Sequence, residues 1–270
     1  MSADNNWKRY IIQRGELLTE WRSKQQVMKA LAEKWIYIRV RGDKYRPVSI
    51  HRDNPCGSLK RLNGSGSEIG DTKFLDTAIK NADEAAPANA KKPGNKKPEH
   101  VVQAGLIHHA LQHDMLLNGQ LNGFSDVFDE LIFVTDELKA GDIRADIIAL
   151  GGKGGKYFPV FIELKAIRSF NRVLEQLTVA RQETAKVKSI FVEMLVKGTG
   201  KTAERISFDE YKLLVVWPEA PSGKRKASAA EAVAIPRFKE AKGHLLLGEF
   251  PNTKVAQERF DSVIQLRESA

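Results

Sequence analysis

Two apolar segments of this chain each carry an acidic residue at a position where a buried β-strand is normally hydrophobic. The first is RADIIAL at residues 144–150, and the second is FIELK at residues 161–165. Residues i and i+2 of a strand point to the same face, so Glu163 and Lys165 should project together. Asp146 can join them from a neighbouring strand. This pattern predicts a polar cluster at the end of a β-hairpin, where a cleft can form.

The residue types in this cluster suit metal-assisted chemistry on a phosphate. Two carboxylates a few ångströms apart repel each other, and burial raises the pKa of each. A hard divalent cation such as Mg²⁺ removes both penalties, because it prefers oxygen ligands and combines carboxylates with phosphate and water. Lys165 beside it would orient or deprotonate water, or neutralise a phosphate. The competing interpretation is an exposed charge pair, Glu163 with Lys165, beside a strand-end acid.

Composition favours a globular protein with a polyanionic partner. The chain has a formal net charge of +9 and a pI near 9.5, with 42% hydrophobic residues. Nucleic acid is the partner expected first, although solubility alone also accounts for such a charge. No apolar run approaches the length of a membrane helix, so no membrane partner is expected, and the start lacks an apolar signal region. A cytoplasmic location is therefore predicted, and Cys56, the single cysteine, excludes an internal disulfide.

The first part of the chain is predicted to be a small α+β module. Apolar spacing predicts a helix over residues 7–35, and a β-hairpin follows with strands 35–41 and 45–50. Residues 55–98 are poor in large apolar groups and rich in Gly, Ser, Ala, Lys and Pro. The predicted organisation is an N-terminal module at 1–62, a flexible basic linker at 63–98 and a second domain at 99–270.

The second part is predicted to be an α/β domain with a mixed central β-sheet flanked by helices. Glycine pairs at 151–156 should reverse the chain between two of its strands, and a long helix allows a parallel crossover to the strand that follows. The predicted helices lie at 99–118, 170–196 and from about 252, and the predicted strands at 131–134, 143–150, 157–165, 211–217 and near 243–247.

This order of elements resembles the PD-(D/E)XK nuclease superfamily, which has a restriction-endonuclease-like core. Asp146 matches its first acid, with Ala145 where many members have Pro, and Glu163 and Lys165 match its second motif. The resemblance covers about residues 98–217. It implies that these three residues are catalytic and that Asp146, Glu163 and the backbone carbonyl of Leu164 bind Mg²⁺ or Mn²⁺.

A finer resemblance is to the RecB-type branch of that superfamily. The branch has Gly-x-x-x-His in its first helix, which Gly105 and His109 match, so His109 is an expected metal ligand. It also has Gln-x-x-x-Tyr in the helix after the lysine, where Gln176 is kept as a candidate catalytic residue but Ala180 replaces the tyrosine. Other branches place a glutamate in the first helix, so Glu99 is a rival acid. His109 and His113 are also spaced for zinc, without an evident third ligand.

Basic residues near the cluster are candidates for binding nucleic acid. These are Arg144, Lys153, Lys156, Arg168 and Arg172, of which the last two open the long helix. The expected function is a Mg²⁺- or Mn²⁺-dependent hydrolase of DNA, with RNA as the less expected substrate. The alternative is a nuclease-fold protein that binds nucleic acid or acts as a scaffold without cutting. Two further partners are considered for the N-terminal module, a second copy of this chain in a homodimer and a different protein.

Overall fold

The computed structural model describes residues 3–59, 69, 75–90, 97–114, 116, 124–165, 170–218, 244–250 and 265–268. The helices are α1 (Ala3–Ser23), α2 (Gln25–Glu33), α3 (Leu75–Ala90), α4 (Pro98–His113), α5 (Phe124–Val127), α6 (Phe170–Ala185) and α7 (Lys188–Thr199), with a short 3₁₀ helix at Ala203–Arg205. The strands are β1 (Ile36–Arg41), β2 (Lys44–Ser49), β3 (Glu130–Ala140), β4 (Ile143–Lys153), β5 (Lys156–Leu164), β6 (Lys212–Pro218), β7 (Leu245–Phe250) and β8 (Gln265–Glu268). Among the helices in these ranges, none has the length and apolarity needed to cross a membrane.

The central sheet is mixed, and its six strands lie in the order β3-β4-β5-β6-β7-β8. β3, β4 and β5 form an antiparallel meander, β5 to β7 are parallel, and β8 closes the edge antiparallel to β7. The parallel step from β5 to β6 needs a crossover, which α6 and α7 supply. β1 and β2 form a separate two-stranded sheet. The predicted α/β fold, with a mixed sheet flanked by helices and a small α+β module, is confirmed.

The β4–β5 hairpin is the element that brings the predicted acids together. Lys153 pairs with Lys156, and the turn between them is Gly154-Gly155 with φ of +56° and +77°. Two consecutive residues with positive φ form the turn whose twist matches that of a hairpin, and glycine adopts this conformation without steric cost. The predicted reversal through the glycine loop is therefore confirmed.

Helices cover both faces of the sheet. On one face, α4 packs its Val102, Leu106 and Ala110 against the alternate residues of β4 and β5. On the other face, α1, α6 and α7 share a core with β3 to β7 and with the β1–β2 hairpin. The α1–α7 crossing is close, since a Cβ on Gly198 would lie 3.4 Å from Leu18 and one on Gly15 would lie 3.2 Å from Lys197.

The two long helices were each predicted to be continuous, and this prediction is wrong for both. The first divides into α1 and α2 at Lys24, and the second divides into α6 and α7 at Val187. The break lets α6 cover β4 and β5 while α7 turns to pack against α1.

The flexible-linker prediction is wrong for residues 75–90, which form α3. Its buried residues Leu75, Ala78, Ala82 and Ala85 recur at helical spacing and pack against the β1–β2 hairpin. Alanine has a high helix propensity but contributes little to a hydrophobic pattern. The sequence of this segment therefore does not indicate that it has buried residues. The helix predicted from about residue 252 is wrong at 265–268, which form β8 because the edge of β7 offers backbone partners.

A buried polar network joins the N-terminal module to the central sheet. Asp136 of β3 accepts hydrogen bonds from Arg39 Nε at 2.6 Å and from Tyr37 Oη at 3.1 Å. Arg14 of α1 donates to the Asp136 backbone carbonyl at 2.9 Å and to Thr135 Oγ1 at 2.8 Å. Asp136 and Thr135 are completely buried. The helices and strands predicted as two separate parts thus share one core and one hydrogen-bond network.

Removal of Arg39 should destabilise the whole chain, because it leaves the Asp136 carboxylate buried without its closest cation. Arg39→Leu is expected to lower the free energy of unfolding by about 3–5 kcal/mol in urea titration. Lys80→Met is the control, since Lys80 is 74% exposed in its pair with Glu84, and it should change the value by less than about 0.5 kcal/mol. Equal effects of the two substitutions would contradict this account.

Candidate active site

The candidate site lies where β4 and β5 separate. Their backbone pairing ends at Ile147 and Ile162. Asp146 immediately precedes Ile147 in β4, and its Oδ2 accepts a hydrogen bond from the Leu164 backbone N–H at 2.8 Å. The carboxylate therefore occupies the place that a backbone carbonyl would take in a continued ladder. This bond fixes the Asp146 side chain against the end of β5.

Glu163 and Lys165 form a direct ion pair beside Asp146. Lys165 Nζ donates to Glu163 Oε1 at 2.6 Å, as expected for residues i and i+2 of a strand. The Glu163 side chain is 2% exposed, whereas that of Lys165 is 29% exposed. Glu163 Oε2 is buried and accepts no hydrogen bond from a residue that the structure describes. The predicted pair is thus present, with one carboxylate oxygen still unsatisfied.

A small pocket opens in front of Asp146 and Lys165. Its volume is about 60 Å³, and it is lined by Glu99, His100, Gln103, Glu137, Asp146, Leu164 and Lys165. A water molecule needs only about 10–15 Å³ on this scale, so the pocket has room for a cation and a few waters but not for a nucleotide. Three carboxylates and one ammonium group therefore face a space of ionic size.

Burial is the largest influence on the pKa of Asp146 and on that of Glu163. It raises the pKa of Asp146 to about 7, and the nearby Glu163 adds to this while the Leu164 N–H acts in the opposite direction. Burial also raises the pKa of Glu163, although Lys165 and the Gln176 side chain lower it. Burial lowers the pKa of Lys165, but contact with Glu163 and the charges of Asp146 and Glu99 outweigh it and raise that pKa overall.

Glu137 reaches the pocket through an irregularity in β3. The pairing with β4 shifts between Phe133 and Thr135, and Glu137 itself has φ of +50°. A β-bulge of this kind redirects a side chain near a functional site. Its carboxylate lies 2.9 Å from Lys139 Nζ. Sequence reasoning missed Glu137 because nothing in the TDELKA segment signals a bulge.

Helix α4 contributes Glu99, His100 and Gln103 to the pocket instead of His109. Glu99 was the rival acid, and its location at the pocket supports that alternative. His109 lies six positions beyond Gln103, which corresponds to about 9 Å along the helix and about 240° around it. Its ring contacts His113, with centroids 4.4 Å apart. His109 does not line the pocket, and its Nε2 is buried without a hydrogen bond from any residue that the structure describes. Its role as a metal ligand stays a prediction. Gln103 and His100 were missed, although Gln103 follows Glu99 by one helical turn.

Gln176 does lie near the acids. It is partly buried in α6, and its side chain is close enough to Glu163 to lower the pKa of that carboxyl. The half-matched motif in the helix after Lys165 thus places a polar group behind the ion pair.

The residues predicted to contact nucleic acid lie at different distances from Asp146. Arg144 lies two residues from Asp146, is exposed and donates to the Gly141 and Ile143 carbonyls at 2.5 and 2.7 Å. Lys153 and Lys156 flank the glycine turn, about 23 Å from Asp146 along β4, and Lys153 pairs with Asp129 at 3.1 Å. The turn is at the opposite end of the hairpin from Asp146, and the binding of nucleic acid by these two lysines stays a prediction. Arg168 and the Arg172 side chain lie outside the described parts of the chain.

The donor set is compatible with a hard divalent cation. Asp146 and Glu163 are adjacent acids with raised pKa, and the unsatisfied Glu163 Oε2 is an available oxygen ligand. The Leu164 carbonyl belongs to the same strand end. Over the ranges that the structure describes, no three His, Cys, Asp or Glu side chains are already grouped to hold an ion. The zinc alternative at His109 and His113 likewise gains no third ligand there.

Comparison with known proteins adds no relative to this picture. The sequence matches no protein-family model, and neither the curated proteins nor the solved structures give a significant match. The assignment of the site therefore rests on its residues and their geometry.

The raised pKa of Asp146 should make the fold less stable as pH rises. An acid whose pKa is higher in the folded than in the unfolded chain stabilises the fold below its unfolded pKa, and this contribution is lost as pH rises through the folded value. Asp146→Asn removes the titration while keeping an oxygen to accept from Leu164. In chelator, the variant should gain at least about 1 kcal/mol relative to the parent between pH 5 and pH 8.

Urea unfolding at pH 5 and pH 8 measures this gain. The control is Asp129→Asn, because Asp129 is fully exposed and its pKa is lowered by the Gly154 N–H and by Lys153. Its stability relative to the parent should not change between these two pH values. An Asp146→Asn difference that stays constant with pH would show that Asp146 is not perturbed by burial.

Proposed function

We propose that this protein is a Mg²⁺- or Mn²⁺-dependent nuclease that hydrolyses DNA phosphodiester bonds. The single observation that carries the proposal is the meeting of Asp146, Glu163 and Lys165 at the separated end of the β4–β5 hairpin. Two acids with raised pKa and a lysine at one strand end suit a cation and a phosphate. The resemblance to the PD-(D/E)XK superfamily, on the same three residues, supports the same conclusion.

Each residue has a distinct task in this proposal. The Asp146 and Glu163 carboxylates and the Leu164 carbonyl would hold the cation. When bound, the cation polarises a phosphoryl oxygen and lowers the pKa of water. Glu163 holds the Lys165 ammonium in place, and the raised pKa of Lys165 keeps it protonated at neutral pH. Lys165 therefore acts as a positive charge and a hydrogen-bond donor toward the phosphate, rather than as a base.

The size of the pocket restricts how a substrate approaches. A volume of about 60 Å³ excludes a base or a sugar, so the phosphodiester must lie across the mouth with only its reacting group directed inward. Arg144 is exposed two residues from Asp146 and is, among the candidates whose side chains the structure describes, the nearest in sequence to that acid. The net charge of +9 favours such a polyanion over a neutral substrate.

The biological setting is open within this proposal. Defence, restriction, mobile-element biology and repair all use such chemistry, and RNA is the less favoured substrate. A cytoplasmic location is part of the proposal, and the single cysteine, which allows no internal disulfide, is compatible with it. A nuclease-fold protein that binds nucleic acid without cutting is the alternative, and the cleavage experiment separates the two.

Cleavage of linear, circular and single-stranded DNA with Mg²⁺ or Mn²⁺ tests the proposal. The parent chain should cut at least one of these substrates, and chelator should abolish the activity. Glu163→Ala and Lys165→Ala should each lower the rate at least about 100-fold, in line with the loss of one group that stabilises a transition-state charge. Lys80→Ala is the control, because Lys80 is 74% exposed in its pair with Glu84 on α3 and does not line the pocket, and it should leave the rate within about twofold.

Two results would contradict the assignment. Binding of DNA by the parent chain without cleavage in either metal would favour the non-cutting alternative. Cleavage that survives both Glu163→Ala and Lys165→Ala would place the chemistry elsewhere.

A further inference from the structure

Gln103 joins the candidate site to the N-terminal module. It lies on α4, is 2% exposed and lines the pocket. Its Nε2 is 3.4 Å from Glu137 Oε1 and 3.4 Å from the Asp146 backbone carbonyl. Its Oε1 is 3.2 Å from the Cys56 thiol. One buried amide thus contacts both walls of the pocket and a residue that precedes it by 47 positions.

The partners of Gln103 fix which way its amide points. The Nε2 protons face a carboxylate and a carbonyl, which only accept, and the Oε1 faces a thiol. Burial raises the pKa of Cys56 to about 12, so the sulfur keeps its proton and donates it. In the reversed orientation the amide oxygen would face the Glu137 carboxylate and the Asp146 carbonyl. The Glu137 carboxylate and the Asp146 carbonyl therefore fix the orientation of the amide, and the Cys56 thiol supports it as a donor to Oε1.

Cys56 is itself held in a defined position by the segment that follows β2. It has φ of +57°, and the backbone around it is closed by bonds from Ser49 N to Gly57 O at 2.7 Å and from Gly57 N to Asn54 O at 3.1 Å. The Cys56 thiol also lies 3.8 Å from the His100 carbonyl of α4. The turn after the β1–β2 hairpin thus meets α4 at the pocket wall.

We propose that Gln103 is a positioning residue through which Cys56 and the N-terminal module hold the Asp146 segment in the arrangement that binds a divalent cation. This inference rests on the proposed metal-dependent function, but its consequence is measured without DNA. Loss of the Cys56 donor or of the Gln103 amide frees the Asp146 segment and weakens cation binding. Groups that orient metal ligands from outside the ligand set typically change affinity by about 10–100-fold.

Mn²⁺ binding to the full chain tests this inference, by thermal shift and by isothermal titration calorimetry. Gln103→Leu and Cys56→Ala should each raise the Mn²⁺ concentration for half-maximal stabilisation by about tenfold or more. Cys56→Ser keeps a proton donor and should stay within about threefold of the parent. Gln112→Leu is the matched control on the same helix, since Gln112 donates to the Lys29 carbonyl at 3.1 Å outside the pocket.

The control separates positioning from general stability. Gln112→Leu should lower the melting temperature without Mn²⁺ but leave the Mn²⁺ midpoint unchanged, whereas Gln103→Leu should shift the midpoint whatever its melting temperature. Equal midpoints for Gln103→Leu and the parent, equal losses in Cys56→Ser and Cys56→Ala, or a parent chain that binds no Mn²⁺ would overturn the inference. If Gln103→Leu and Cys56→Ala shift the Mn²⁺ midpoint while the parent protein cuts no DNA, this inference is supported and the nuclease proposal fails.

Discussion

The buried carboxylate of Asp136 is the interaction on which the rest of the structure depends. Arg39 and Tyr37 bind its side chain, and Arg14 binds its backbone carbonyl. A charge buried to this extent is tolerated only when its partners are in place. The next residue in β3 is Glu137, which faces the pocket. The same short segment therefore anchors α1 and the β1–β2 hairpin on one side and supplies a wall of the candidate site on the other.

Much of the central sheet could be predicted from the sequence because its signals are local. Alternating and continuous apolar runs marked β4, β5 and β6, and the glycine pairs marked the turn between the first two. The pairing of Glu163 with Lys165 follows from strand geometry alone. The two helix breaks and α3 were not predictable in the same way, because they depend on which elements α6 and α7 pack against and on alanines that pack against a formed hairpin.

The residues of the candidate site were likewise predictable only where their sequence signal is local. Asp146, Glu163 and Lys165 were predictable because each lies in a strongly patterned strand. The lining of the pocket by Glu99, His100 and Gln103 was not predictable, because a motif fixes spacing along a helix but not the rotation of that helix against the sheet. Glu137 depends on a bulge, and the role of Gln103 depends on Cys56, which is distant in sequence. Such contacts exist only in the folded chain.

The long sequence separation within the Asp136 network has a consequence for how the chain is made. Arg14 and Arg39 precede Asp136 by 122 and 97 positions. During synthesis both guanidinium groups leave the ribosome well before β3, and they stay hydrated until their acceptor emerges. The N-terminal helix and hairpin therefore cannot complete their core early. Burial of these charges and closure of the pocket wall belong to one late step, which needs the chain to have grown at least as far as β4.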